Sequence, residues 1–293
     1  MALQESKVLT KISRDAMLWR YMTLDKLINL LTTNRLFFAP LYSYQKSDPF
    51  EGVLPRIGRE TLREIISSEY EDRLLILTQF RNILLEKATG QPEELAQIKK
   101  VEEAIAQVEN HPSLMEKISF RIFKSTLVNC WHQNEFESEA MWRLYSENNK
   151  GIAIQTTLQN LVDSIDDQRI FLSEVKYINF SDEKLEPKDL LVNGHLSPLL
   201  KRKSFEHEKE LRLFLQPEND LKSLSVPNYH YKHELIEVDI SKLISKIYIS
   251  PYATELFANS VKEVMRRFGI DENKIIHSDL LKLDADLEKY LFD

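Results

Sequence analysis

Glycine is scarce in this 293-residue chain, with six in all. No Gly-x-Gly-x-x-Gly and no Gly-x-x-x-x-Gly-Lys occurs, which excludes the usual dinucleotide-fold and P-loop phosphate cradles. Cysteine is scarcer still. Cys130 stands alone, so no internal disulfide can form and the chain suits a reducing compartment. No apolar run approaches the ~18 residues of a membrane span. Residues 1–20 carry Glu5, Lys7, Lys11, Arg14 and Asp15, and lack an apolar stretch of the signal-peptide kind. The expectation is a cytoplasmic protein with no membrane partner. Excess positive charge is absent too: the formal net charge of −7 argues against a general nucleic-acid coat.

What is present is an ordinary globular composition, 43% hydrophobic and 29% charged, long enough to bury a core without metal or disulfide staples. One domain over 1–293 is expected. Met17 to Met22 reads as a strand. Thr23 and Asp25 open a helix whose stripe is Leu24, Leu27, Ile28 and Leu31, and Asn34 is its left-handed stop. Leu36 to Ala39 is a second strand, closed by Pro40. Between about 59 and 124 the pattern turns helical, first along Leu62, Ile65, Ile66, Leu74, Leu77, Phe80 and Leu84. Gly90 and Pro92 mark a break, and Leu95, Ile98, Val101, Ile105 and Val108 continue the pattern beyond it. This reads as a helical hairpin inserted into the domain, a scaffold or homo-oligomerisation arm or else an arm that binds a partner.

Further strands are expected at Thr126 to Trp131, Ile152 to Thr156, Phe171 to Ile178, Leu211 to Leu215, Leu235 to Ile240, Lys246 to Ile249 and Lys274 to His277. Helices are expected from Glu139 to Asn148 and from Thr254 to Phe268. Strands interrupted by helices of uneven length, without regular βαβ spacing, point to an α+β fold: a mixed, largely antiparallel sheet with flanking helices.

Several short pieces occur in a characteristic order: Arg20-Tyr21, Leu36-Phe37-Phe38, Asp48-Pro49-Phe50-Glu51, Met141-Trp142 with Tyr145, Gly151-Ile152-Ala153-Ile154, and Lys203 with Phe205. The series closes on Glu208-Lys209-Glu210-Leu211-Arg212. This ordered set resembles the bacterial domain-of-unknown-function family numbered 2971, with departures at Ser47, Phe205 and Leu211. A more distant pattern is similar to ADP-ribosyltransferase-like toxins. It consists of a strand bearing Arg, a helix, a second strand, a tyrosine-bearing turn and a late Glu-x-Glu. That resemblance implies an enzyme using NAD as substrate, a toxin or phage-defence effector acting on a macromolecular acceptor.

Cleavage of the nicotinamide bond passes through an oxocarbenium-like sugar and calls for a carboxylate beside it. Glu210 is the candidate, with Glu208 assisting. Strand alternation places Glu208, Glu210 and Arg212 on one face. Arg20 is the candidate pyrophosphate anchor, next to Tyr21. Tyr44 or Tyr42 is the candidate stacking group, and Asp48 and Glu51 order the tyrosine-bearing turn. Plain structural roles compete. Glu208, Glu210 and Arg212 also make a cross-strand ion-pair face, and Arg20 could bridge to one of those glutamates. Trp142 and Tyr145 read as core, and Lys203 as a solvated lysine.

Weaker patterns remain. Cys130 and His132 share a strand face, as a thiol–imidazole pair would, but a structural Cys fits as well. His230-x-x-His233 lacks the carboxylates of a metal site. Glu174-Val175-Lys176 matches the tail of a metal-dependent nuclease signature, in which Asp48 would be the partner. Ser250-Pro251 before a helix is a generic anion site. The alternatives to an NAD enzyme are therefore a ligand-sensing or interaction module and a metal-dependent nuclease.

Overall fold

Two periodicities divide the chain, period two into a sheet and period 3.6 into the helices around it. The computed structural model describes residues 3–218, 224 and 229–283. Among them eleven strands occur: β1 Met17–Thr23, β2 Arg35–Pro40, β3 Leu127–Gln133, β4 Gly151–Thr157, β5 Phe171–Glu174, β6 Lys176–Ile178, β7 Leu200–Arg202, β8 Glu210–Leu215, β9 Glu234–Glu237, β10 Lys246–Ile249 and β11 Ile275–His277. The helices are α1 Leu24–Thr33, α2 Arg56–Lys87, α3 Pro92–Ser125, α4 Glu139–Tyr145, α5 Leu158–Asp163, α6 Ile240–Leu243 and α7 Glu255–Arg267. Nine strands form one sheet in the order β11-β10-β4-β1-β3-β2-β9, with β8 on the other edge of β3 and β5 beyond it. Only β10 with β11, and β6 with β7 in a separate two-stranded sheet, run parallel. The fold is α+β, as composition and element order imply.

The main core lies on one sheet face. Leu18 and Met22 of β1, Ile152 and Ile154 of β4, and Leu211 and Leu213 of β8 pack there against Leu27 and Leu31 of α1, Leu161 of α5 and Val261 of α7. On the other face, Trp19 and Tyr21 pack with Met141 and Trp142 of α4. Helix α1 forms because its apolar residues recur three and four apart. It ends at Asn34, whose φ of 52° is the left-handed stop expected there. Gly269, at φ 72°, follows α7 in the same way.

Three expected elements are revised. The strand from Phe171 to Ile178 breaks at Val175, whose N–H donates to the Glu210 carbonyl. β5 pairs with β8, while β6 turns away to pair with β7. The strand from Leu235 stops at Glu237, because Asp239 accepts hydrogen bonds from the Ser241 and Lys242 N–H groups and starts a helix. The helix from Glu139 stops at Tyr145 and gives way to a short 3-10 turn, Glu147–Asn149.

Helices α2 and α3 pair as the inserted hairpin. Pro92 opens the second helix at its first turn, where its missing N–H costs nothing. Ile57, Leu62 and Phe123 anchor the hairpin base to Leu54, Leu190 and Leu200. Further out, buried Ile98, Val101 and Ile105 of α3 belong to none of the core clusters of the sheet. Arg63 pairs with Glu116 across the two helices. Replacing residues 68–112 by a short Gly–Ser turn is therefore expected to leave a cooperative unfolding transition and the buried-tryptophan emission intact. Thermal melts followed by circular dichroism and fluorescence check this; loss of cooperativity would make the hairpin part of the core.

Candidate active-site cleft

The site originates in incomplete strand pairing. β1 meets β3 only at Leu18–Gln133 and Trp19–His132, whereas β2 meets the same edge only at Ala39–Val128 and Pro40–Leu127. Between these two contacts the strands diverge, and among the described residues Asn129, Cys130 and Trp131 have no strand partner on that side. Side chains take over the exposed backbone. Arg20 Nη1 donates to the Cys130 carbonyl at 3.1 Å and to Asn129 Oδ1, while Asn129 Nδ2 donates to the Phe37 carbonyl at 3.0 Å. The gap opens into a cleft of about 980 Å³ with α1 and α4 at its sides.

Arg20 reaches the cleft although β1 alternation starts it on the main-core face. Its guanidinium lies 5.8 Å from the Trp131 ring centroid. Among the described residues no carboxylate pairs with it. Burial lowers it from its ordinary value, with Tyr44, Cys130 and Tyr145 acting the other way, and a guanidinium stays charged regardless. A half-buried cation that faces a cavity, with no carboxylate partner among the described residues, has the chemistry to receive an anion.

The opposite wall is a closed ionic cluster. Arg212 donates to Glu210 Oε2 through Nε at 3.0 Å and also through Nη2. Its Nη1 donates to Glu51 Oε1 at 3.0 Å and to the Pro198 carbonyl at 2.6 Å. Lys201 joins Glu208 Oε2 at 2.5 Å, Glu210 Oε1 at 2.8 Å and Glu51 Oε2 at 3.5 Å. Three carboxylates thus surround two cations, all of them buried. Glu51 comes from the Asp48–Gly52 turn. Gly52, at φ 69°, is required there: a Cβ would lie 2.9 Å from Leu41 Cβ. Asp48 Oδ1 accepts the Phe50 N–H at 3.0 Å and Arg202 at 2.7 Å, tying the turn to β7.

Environment separates the two glutamates. Burial disfavours charge on Glu210, but Arg212 and Lys201 outweigh it and hold the carboxyl well below the usual range. Glu208 is pushed up to about 7, first by burial and then by its hydrogen bond with Glu210 and the adjacent negative charge; Lys201 only partly offsets these. Burial also opposes the Lys201 ammonium, yet Glu210 and Glu51 hold it above its ordinary value. The Cys130 thiol is pushed up to about 12, chiefly by burial, so it is not a thiolate nucleophile near neutrality.

Eight of the residues singled out in the sequence line this one cleft: Arg20, Tyr21, Tyr44, Asp48, Glu51, Glu208, Glu210 and Arg212. Their roles divide. Tyr21 accepts the Ser138 N–H at 2.9 Å and braces the N-cap of α4. Asp48, Glu51 and Arg212 hold the wall. Glu208 does not share a strand with Glu210. It ends a 3-10 turn, Lys203–Glu208, because Lys209 takes a left-handed conformation at φ 40° and β8 starts only at Glu210. Lys201 then gathers both carboxylates. Tyr42 stacks on Tyr231 outside the cleft, with ring centroids 4.1 Å apart, which leaves Tyr44 as the tyrosine of that turn in the wall.

Trp142 is core, whereas Tyr145, one turn later, lines the mouth. Lys203 is exposed and outside the cleft. Glu174 also lies outside it, its carboxylate accepting from Thr10 Oγ1, so Asp48 and Glu174 do not form one nuclease site. Among the described residues no group of three His, Cys, Asp or Glu is placed to hold a metal ion, the His230–His233 pair included. His233 instead stacks on Phe37.

Lys201 was missed in the sequence, because a Lys-Arg-Lys run reads as solvated surface. His132 was noticed only as a partner for Cys130.

The raised Glu208 carboxyl has a sign that can be worked out. The folded state binds this proton more tightly than the unfolded chain, whose carboxyl keeps the ordinary value of 4.5. Its contribution to stability is present below pH 4.5 and is lost as pH rises toward 7. Glu208→Gln is expected to lose less stability between pH 5 and pH 8 than the unmutated protein, as read by denaturant titration at both values. A parallel decline in the two proteins would refute the shift.

No curated protein and no solved structure matches this chain. One family model does, over residues 141–213, a stretch from α4 to β8 that contains Lys201, Glu208, Glu210 and Arg212 but neither Arg20 nor the Asp48–Gly52 turn. Over that stretch the chain is similar to the family described as protein of unknown function (DUF2971).

Proposed function

We propose that the cleft binds NAD and that the protein breaks the bond between nicotinamide and ribose, passing the ADP-ribosyl group to water or to an acceptor. One observation carries this reading: the Arg20 guanidinium, which has no counter-ion among the described residues, shares a single cleft with the Glu208–Glu210 carboxylates. Arg20 would take the pyrophosphate by a bidentate contact, and Tyr44 offers a ring for the nicotinamide. About 980 Å³ lies at the upper end of ordinary ligand cavities and suits a dinucleotide.

In the reaction, the C–N bond breaks and its electron pair leaves with nicotinamide, which becomes neutral. The positive charge left on the ribose develops against Glu210, which the cations beside it keep ionised. Water or an acceptor hydroxyl then attacks the anomeric carbon and surrenders its proton. Glu208, titrating near neutrality, is suited to receive it.

A second reading rests on the same ionic wall. Both Glu210 oxygens are already engaged, Oε1 by Lys201 and Oε2 by Arg212. A cleft so braced serves a sensor that binds a nucleotide without chemistry.

Proton NMR of NAD incubated with the protein separates the readings. Free nicotinamide from the unmutated protein, reduced at least tenfold by Arg20→Gln and by Glu208→Gln, supports the enzyme. Binding without release supports the sensor, and absence of both overturns the NAD reading. Glu210→Gln is expected to abolish release. It also strips a charge partner from Arg212 and Lys201, a loss of roughly 3–5 kcal/mol for a broken buried pair, so its folded fraction is measured alongside.

A further inference from the structure

His132 stands at the centre of a row running across three strands. On β1 its partner is Trp19, and on β8 its partner is Glu210. The side chain is 4% exposed, and its ring forms part of the cleft wall. Nδ1 lies 2.6 Å from the Glu208 carbonyl oxygen. A carbonyl only accepts, so Nδ1 carries the proton of that bond. Burial lowers the imidazole from its ordinary value and keeps the ring neutral. Nε2 is then an acceptor lone pair. It is shut off from solvent and, among the described residues, has no hydrogen-bond partner. Buried polar atoms are mostly satisfied, and this acceptor, like Asp48 Oδ2, belongs to a residue of the cleft wall, where a bound molecule can supply a donor.

We propose that His132 Nε2 is the acceptor that grips a hydroxyl proton on the nicotinamide-riboside half of the bound dinucleotide. This assignment rests on the NAD reading of the cleft. The neighbours support the placement. Glu210 is the strand partner of His132, and the backbone carbonyl that fixes its tautomer belongs to Glu208, so the ring sits in the same cleft wall as the two residues assigned to the reacting sugar. Tyr21, edge-on to the ring with centroids 6.1 Å apart, limits its rotation. Cys130 lies on the same strand face, and its protonated thiol is a weak donor that leaves the strong acceptor role to the imidazole. His132 acts by positioning: it holds the sugar against the carboxylates without itself bonding to carbon.

Two substitutions separate this role from a structural one. Asn at 132 places an amide N–H where Nδ1 stands and preserves the bond to the Glu208 carbonyl, but it offers nothing at Nε2. Gln reaches the Nε2 position with an acceptor oxygen. NAD titrations read by tryptophan fluorescence are expected to show about tenfold weaker binding for His132→Asn, with most of the loss recovered in His132→Gln. In the unmutated protein labelled with nitrogen-15 histidine, the His132 Nε2 resonance is expected in the unprotonated range and to move upfield when NAD is added. Equal NAD affinity in His132→Asn, an unmoved Nε2 resonance, or an Nε2–H tautomer in the free protein overturns the assignment. If His132→Asn fails to fold, the resonance of the unmutated protein decides. Failure of the unmutated protein to bind NAD overturns the cleft reading and this assignment with it, whereas equal affinity in His132→Asn overturns this assignment alone.

Discussion

The edge of β3 is shared by two strands that cannot both follow it. β1 holds one end and β2 the other, and in between three residues of backbone turn toward side chains instead of a neighbouring strand. An unpaired strand edge inside a protein is expensive unless its polar groups are satisfied. Arg20 and Asn129 satisfy part of it, and in doing so Arg20 is drawn into the gap. The cleft, the Arg20 cation in it and its position beside β8 all follow from that divergence.

The other half of the site answers a second constraint, that buried charges must be compensated. Arg212 begins a fully buried position on β8 and meets carboxylates from its own strand and from the Asp48–Gly52 turn. Lys201 adds a second cation, and Glu208 a third carboxylate. With all groups ionised the cluster carries one excess negative charge, and it falls to the least stabilised carboxyl, Glu208, to bind a proton near neutrality. The same arrangement keeps Glu210 ionised and Glu208 poised. Two adjacent glutamates with separated affinities for a proton are what chemistry on a glycosidic bond requires, and equally what a rigid, neutralised binding floor requires.

The outline of the fold was largely legible, because amphipathic spacing and stop signals are local. The stripe of α1, its Asn34 terminus, the paired long helices and the alternation of β1, β4 and β8 all follow from near neighbours in sequence. The failures lie where a distant partner overrides the local pattern. Val175 breaks an apolar run because its N–H bonds to the Glu210 carbonyl, and β6 then finds β7. Glu208 looked like a strand residue, yet Lys209 adopts a left-handed turn before the strand begins. Lys201, in a basic run, gave no local hint of burial.

For this protein, the sequence by itself determined the α+β class, the helical hairpin and the identities of eight cleft residues, since residue type and short-range spacing carry that information. The tertiary structure alone decided that Arg20 and Glu210 share a cleft, that Lys201 neutralises its wall and that His132 Nε2 is left without a partner among the described residues. Each of these depends on the register between strands far apart in the chain, and on burial, and neither is written in the residues adjacent to any one of them.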